Sequence, residues 1–485
     1  MKQSSTRFIP AVVAGLAVAI YLPQAVMRSS WSDDYPLLLD PSMEKVIADG
    51  RPVLALVNNL VFGAAGSIGG LALARALGVA GIAAIAAFLY RLMINAKWDP
   101  AVAVFAAVTA ILLPPFHAFA GWASVFAFPW VFLLGLTSGH LLLRGVRNQS
   151  LATTNGAAGL LLVALLTYPP SAMACWIPLV LHLLDYPSST RRGGLPVMVM
   201  GLVVAATGVL SLICARIVMT LTGVEADGRF TFINSPDEVA DKIRWLATRP
   251  VPLAGRPFQI SSPGAIEAFL TATPVIALTI VGILLLIRGS TQHRITVLGL
   301  LAICSGGTIL SHVLAAENQT EFRYLAGFLV AAWIMTVAAI HEVVRRSSAV
   351  RWTPRHAIGV TTALLLILAG TASVAATRNV DRVFVAPARI KEAHLQSELR
   401  TFDPTQHDQI IAIFPDSPWP TRPNLGIYST RTDLAHPWTI EANLRLLIME
   451  EHGPTIRPRI DVGTRVPDDL LGVLVVDLRP LWSHL

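Results

Sequence analysis

Asp33 and Asp34 stand side by side between Trp31 and Tyr35, a few residues after an apolar run. Carboxylates beside a membrane are expensive unless they are solvated or used. A carboxylate at the water–lipid boundary has one obvious use: it can act as general base and take the proton from a sugar hydroxyl. The plainer alternative is that both acids solvate a loop.

The elements that must position this pair follow from composition. Of the 485 residues, 54% are hydrophobic and 14% charged, with a mean hydropathy of +0.60. Ordinary soluble domains are about 25% charged. This excludes a disordered chain and a cytosolic enzyme of usual composition. The net charge of +7 and pI near 9.6 do not indicate nucleic acid, because the basic residues sit between apolar runs. Charge is also unevenly spread. Residues 1–376 are 11% charged, whereas 377–485 are 24% charged. The expected fold is therefore an α-helical polytopic membrane body over 1–376, followed by a soluble module over 377–485.

Apolar runs of about 18 residues or more read as membrane spans, since backbone polar groups must be satisfied within lipid. Eleven candidates emerge: 8–27, 68–92, 100–115, 122–143, 152–168, 172–187, 195–220, 267–287, 295–314, 323–343 and 357–376. The first, preceded by Lys2 and Arg7, reads as a retained signal anchor. With the N-terminus in the cytoplasm, 14 basic residues, including Arg91, Lys97, Arg144, Arg288 and Arg345, fall on the inner side against three acidic ones. That asymmetry obeys the positive-inside rule, and eleven spans then put 377–485 outside. The larger outer loops are 28–67 and 221–266. The first is expected to hold a surface helix through Leu37–Asp49 and an interfacial or re-entrant segment at 53–63. The second starts a helix at Ser235-Pro236-Asp237-Glu238, a serine cap with proline at the first helical position. In the tail, 388–399 and 438–451 read as helices, and 409–414 and 471–477 as buried strands, suggesting a small α/β module. Cys175, Cys214 and Cys304 offer no disulfide or metal spacing, and Trp122, Trp130 and Trp176 suit an interfacial aromatic belt.

Four local features occur in order: Trp31-Ser-Asp-Asp-Tyr, Asp49-Gly-Arg-Pro, Thr167-Tyr-Pro-Pro-Ser-Ala-Met and Glu321-Phe-Arg-Tyr. In these the chain resembles the GT-C superfamily of membrane glycosyltransferases, most closely the glucosyltransferases that modify bacterial O-antigens. The resemblance spans residues 31–324. It implies an inverting transferase that uses a polyprenyl-phosphate-linked sugar as donor and a cell-envelope glycan or glycoprotein as acceptor. It also implies a bacterial plasma-membrane location. One of Asp33 and Asp34 is then the base, with Asp33 preferred. The departing lipid phosphate needs positive charge, which arginine supplies with a two-pronged grip. Arg323 is the first candidate, followed by Arg51 and Arg256. Glu321 can orient Arg323 or bind sugar, and Tyr324 lies beside it. Tyr168 can wall a sugar or isoprenoid, or simply mark a proline turn. His117 can touch phosphate or serve structure. A divalent metal is left open; Asp33, Asp34 and Glu321 are its oxygen ligands if it binds.

Two other classes compete. A transporter or flippase of a lipid-linked or polar solute would place ionisable groups or broken helices at mid-membrane. A non-catalytic scaffold would use the 377–485 module to bind partners.

Overall fold

Apolar periodicity and proline placement set the helix boundaries. The computed structural model describes residues 8–41, 43–185, 190–227, 232–260, 265–287, 290–318, 321–351, 354–414, 437–466 and 470–483. Of the charges used for sidedness, Lys2, Arg7 and Arg288 lie outside these. The chain starts with α1 (Ile9–Ala25), then two short helices, α2 (Asp34–Leu39) and α3 (Glu44–Ala48), and α4 (Pro52–Ala65). A single surface helix through 37–49 is not formed. Asp40 is extended, at φ −144°, just before Pro41, and so closes α2, because proline bars the preceding residue from the helical region. At Gly50 φ is +74°, a left-handed turn that hands the chain to Pro52 and that glycine adopts without strain. With 14 residues, α4 reaches about 21 Å, short of a bilayer core of about 30 Å.

The body continues with α5 (Leu71–Asn95), α6 (Pro100–Ala110), α7 (Pro114–Gly121), α8 (Phe128–Asn148), α9 (Leu151–Thr167), α10 (Pro169–Ala172), α11 (Ile177–Asp185) and α12 (Thr190–Thr222). After it come α13 (Pro236–Thr248), α14 (Pro250–Ala254), α15 (Ala265–Leu286), α16 (Thr291–Gly307), α17 (Leu310–Leu314), α18 (Ala326–Arg351) and α19 (Pro354–Val380). The eleven apolar runs all fall on helices, but length and apolarity single out fewer spans. Four described helices pass: Leu71–Asn95, Ala123–Asn148, Gly194–Thr222 and Ala326–Arg346. A fifth arises if α6 and α7, bent by 56°, form one broken span. Pro114 and Pro115 cause that break. The carbonyls it frees are answered locally: the Tyr21 hydroxyl donates to Ile111 O at 2.7 Å and His117 Nε2 to Leu112 O at 2.9 Å. The 172–187 run is likewise broken into α10, a 3-10 turn at Met173–Trp176 and α11.

Close approach of α8 to that 3-10 turn depends on glycine. A Cβ at Gly139 would lie 2.0 Å from Cys175 O, and one at Gly135 would lie 2.6 Å from Ala172 O. Small residues four apart give helices this intimacy in membranes. The expected start of α13 is present: Ser235 Oγ accepts from Glu238 N at 3.3 Å, with Pro236 at the first position.

The C-terminal module begins without a linker. After α19 a π-helical turn, Asp381–Val385, leads straight into α20 (Ala386–Leu399). Three parallel strands follow, β1 (Gln409–Ile413), β2 (Arg459–Gly463) and β3 (Val473–Asp477), in the order β2-β1-β3, with α21 (Pro437–His452) between β1 and β2. Register pairs Ile410 with Ile460 and Leu474. The sequence indicated β1, β3, α20 and α21, but β2 was not foreseen. The module's core, with Leu395, Ile440, Leu444 and Val476, also takes in Tyr35 and Ile68 from the body.

Candidate functional site

The adjacent aspartates have opposite environments. Asp34 opens α2 and is wholly buried. Its Oδ2 accepts from Trp31 N at 2.9 Å and Ala123 N at 3.4 Å, and its Oδ1 accepts from Ser124 N at 2.7 Å. It therefore ties the first loop to the 3-10 turn at Ala123–Val125. Burial pushes its carboxyl up to about 7, against the pull of these amides and of Arg75. Asp33, in contrast, keeps 36% of its side chain exposed and faces Lys45 Nζ at 3.7 Å. Its carboxylate also helps hold the charge of Arg323.

Arg323 lies in the 3-10 turn Phe322–Tyr324, between α17 and α18. Its Nε donates to Glu321 Oε2 at 2.7 Å and its Nη2 to the Tyr324 hydroxyl at 3.0 Å. The guanidinium sits 4.6 Å from the Trp122 ring and 4.8 Å from the Tyr324 ring. Burial opposes its charge, but Tyr324, Glu321, Tyr168 and Asp33 outweigh burial and raise its pKa above the ordinary arginine value. Arg51, held by Asp49 at 3.7 Å, lies over the Tyr168 ring at 5.3 Å. Tyr168 stacks on Phe128, centroids 3.5 Å apart and planes at 9°, and stands 6.3 Å from Tyr324. Its buried hydroxyl has no hydrogen-bond partner among the described residues. Two guanidiniums thus lie on one aromatic wall, as cation–π attraction favours.

Thus Arg51, Tyr168, Glu321, Arg323 and Tyr324 come together, and the charge of Asp33 acts on Arg323. Two predicted site residues serve other contacts. His117 is buried and bonded to Leu112 O. Arg256 bonds within its own turn, to Pro252 O and Gln259 Oε1, both at 3.4 Å. Among the described residues no group of three or more His, Cys, Asp or Glu is placed to hold a metal ion. Asp33, Asp34 and Glu321 therefore do not form the oxygen set suggested for one.

Four further residues belong to this region. His312 lies 4.8 Å from Tyr324, and its Nε2 is buried without a hydrogen-bond partner among the described residues. The charges of Lys242, Arg51 and Arg323 all act on it. Lys242, from α13, donates to Glu317 O at 2.7 Å, joining the second large loop to the segment between α17 and Arg323. Trp122 is buried under Arg323, unlike the belt residue its position suggested. Arg75 is fully buried within α5, where it donates to Ala25 O at 2.8 Å, Ser29 O at 2.5 Å and Met27 O. An arginine within an apolar run is costly and marks a purpose, so this one was legible. His312 and Lys242 carried no local signal.

A scan of family models found none that matches this chain, and a search of curated proteins found no match either.

Proposed function

We propose that this chain is a membrane glycosyltransferase of GT-C type, transferring a sugar from a polyprenyl-phosphate donor to a cell-envelope glycan or glycoprotein. The observation that carries the reading is the pair of partly buried arginines, Arg51 and Arg323, on the Tyr168–Tyr324–Trp122 wall. Such a site suits a phosphate joined to an apolar lipid. Guanidinium groups grip phosphate oxygens, and a low-dielectric setting strengthens their attraction for charge that develops there.

In the proposed step the Asp33 carboxylate takes the proton of the acceptor hydroxyl. The freed oxygen attacks the anomeric carbon, and the carbon–oxygen bond to phosphate breaks. The bonding electrons leave with the polyprenyl phosphate, and the anomeric configuration inverts. Arg323 and Arg51 compensate the charge on the departing phosphate. Asp34, with both oxygens committed to backbone amides, positions the loop rather than the proton. The same reading takes the helical body as eleven spans of a bacterial plasma membrane, with the N-terminus in the cytoplasm and 377–485 outside it.

A transporter would keep an ionisable group at mid-membrane for its cargo. Arg75, a buried charge in a long apolar helix, is instead committed to carbonyls at and just after the end of α1. The test is transfer by purified protein from a polyprenyl-phosphate sugar to an acceptor glycan, read by released polyprenyl phosphate. Asp33→Asn is expected to lower kcat by about 10²-fold or more, the usual worth of a general base. Wild-type turnover in Asp33→Asn sinks the base assignment.

A further inference from the structure

The segment bearing Asp33 is held from three directions. From the body, Arg75 grips the carbonyls of Ala25, Met27 and Ser29, and the amides of Ala123 and Ser124 grip Asp34. The third grip comes from the C-terminal module. Lys391 of α20 is buried at 2% exposure. Its ammonium donates to the Tyr35 hydroxyl and lies 4.3 Å from the Tyr35 ring. That hydroxyl in turn donates to Ser30 O at 3.2 Å. On the other flank of the aspartates, Phe384 of the π-helical turn meets Trp31 edge-on, with centroids 5.3 Å apart. Phe384 reaches that place because Gly121 has no side chain; a Cβ there would lie 2.8 Å from the Phe384 ring. Arg28 forks onto Glu392 and onto Glu450, the latter at 2.6 Å, and the other oxygen of Glu450 accepts from Ile68 N at 2.9 Å.

We propose that the C-terminal module is a positioning part of the transfer site: Lys391 and Phe384 clasp Tyr35 and Trp31, on either side of Asp33 and Asp34, and so hold the Asp33 carboxylate at the reacting centre. This rests on the glycosyltransferase reading and extends it to a module that the resemblance left without a role. Burial lowers Lys391 to about 7, and a lysine nitrogen taken out of water, charged or neutral, is costly unless it is hydrogen-bonded, so Lys391 is a poor choice for mere packing. π-helical turns are rare and gather at functional sites, and this one carries Phe384. A general base needs hydrogen-bond reach to its proton, and a misplacement of about 1 Å can cost about 10²-fold in rate.

The experiment uses the full chain in lipid nanodiscs, with Lys391→Met and Phe384→Leu made separately. Two quantities are read: amide hydrogen exchange of residues 30–40, and kcat with donor KM in the transfer assay. The expected result is exchange at 30–40 faster by about tenfold or more, kcat lower by about tenfold or more, and donor KM within about twofold, since the arginine wall is untouched. Protection of β1 amides marks a module that still folds. If Lys391→Met fails that check, Phe384→Leu carries the test. Wild-type exchange and kcat in the folded variants overturn the proposal. Fast exchange with wild-type kcat does so too, because the clasp would then not serve transfer. A wild-type protein inactive with every lipid-phosphate sugar tried removes the glycosyltransferase reading instead; exchange at 30–40 still reports whether Lys391 holds the loop.

Discussion

Asp33 and Asp34 are chemically identical and adjacent, and their division of labour is set by tertiary structure. The amides that occupy Asp34 come from Ala123 and Ser124, about 90 positions along the chain, so no local pattern could assign them. What was legible was the pair itself, its aromatic flanks and the arginines of the later loops. The buried state of Asp34 has a measurable consequence. Its carboxyl sits at about 7 rather than 3.8. Between these values the native state retains a proton that the unfolded chain has already released. Stability from this group therefore falls as pH rises from about 4 to 7, and is level above that. A shift of this size corresponds to roughly 4 kcal/mol. Asp34→Asn removes the titration, so its Tm should lose that part of the slope. At pH 4, where Asp34 is still protonated, it should be lower in stability by about 1–3 kcal/mol, because an amide NH2 would then face backbone N–H donors, and by pH 7 the loss suffered by the wild type should erase that difference. An unchanged Tm slope between pH 4.5 and 7 in Asp34→Asn counts against the assignment.

At the scale of elements, the site depends on how tightly the 3-10 turn Met173–Trp176 is pressed onto α8. Tyr168, the wall beneath Arg51, stacks on Phe128 at the start of α8, so any displacement of α8 from this region tilts the wall. Gly139, against Cys175 O, is the tightest point. Gly139→Val is expected to lower stability by about 3 kcal/mol or more, above the usual range for overpacking because the obstacle is backbone, and to raise donor KM. Gly159 on α9, with open space around it, is the control: Gly159→Val should change Tm little. Helix positions were readable because the apolar runs are long and the prolines punctuate them. Their lengths as spans were not, since the 172–187 run is broken by the 3-10 turn at Met173–Trp176 and the 295–314 run between Gly307 and Leu310. The strand β2 escaped notice because Arg-Ile-Asp-Val-Gly is short and half polar, and it is defined by its parallel pairing with β1.

At the scale of the molecule, the change of charge density near residue 377 does not mark a mechanical boundary. Helix continues through it from α19 into α20, and the module's core is completed by Tyr35 and Ile68 of the body. Deleting 377–485 would uncover both residues and strip Arg28 of Glu392 and Glu450. Loss of activity on deletion would therefore not distinguish a scaffold from an enzyme whose site has come apart. Coincident unfolding is a better measure. A shared apolar core and paired charges couple the two parts, and coupled parts open as one cooperative unit. The β1 amides, Gln409–Ile413, and those of residues 30–35 should lose exchange protection at the same denaturant concentration. Lys391→Met should separate the two, with 30–35 opening first and β1 retaining its midpoint. Two separate transitions in the wild-type protein would mean that the module is an independent appendage and that the grip on the Asp33 segment is too weak to organise the site.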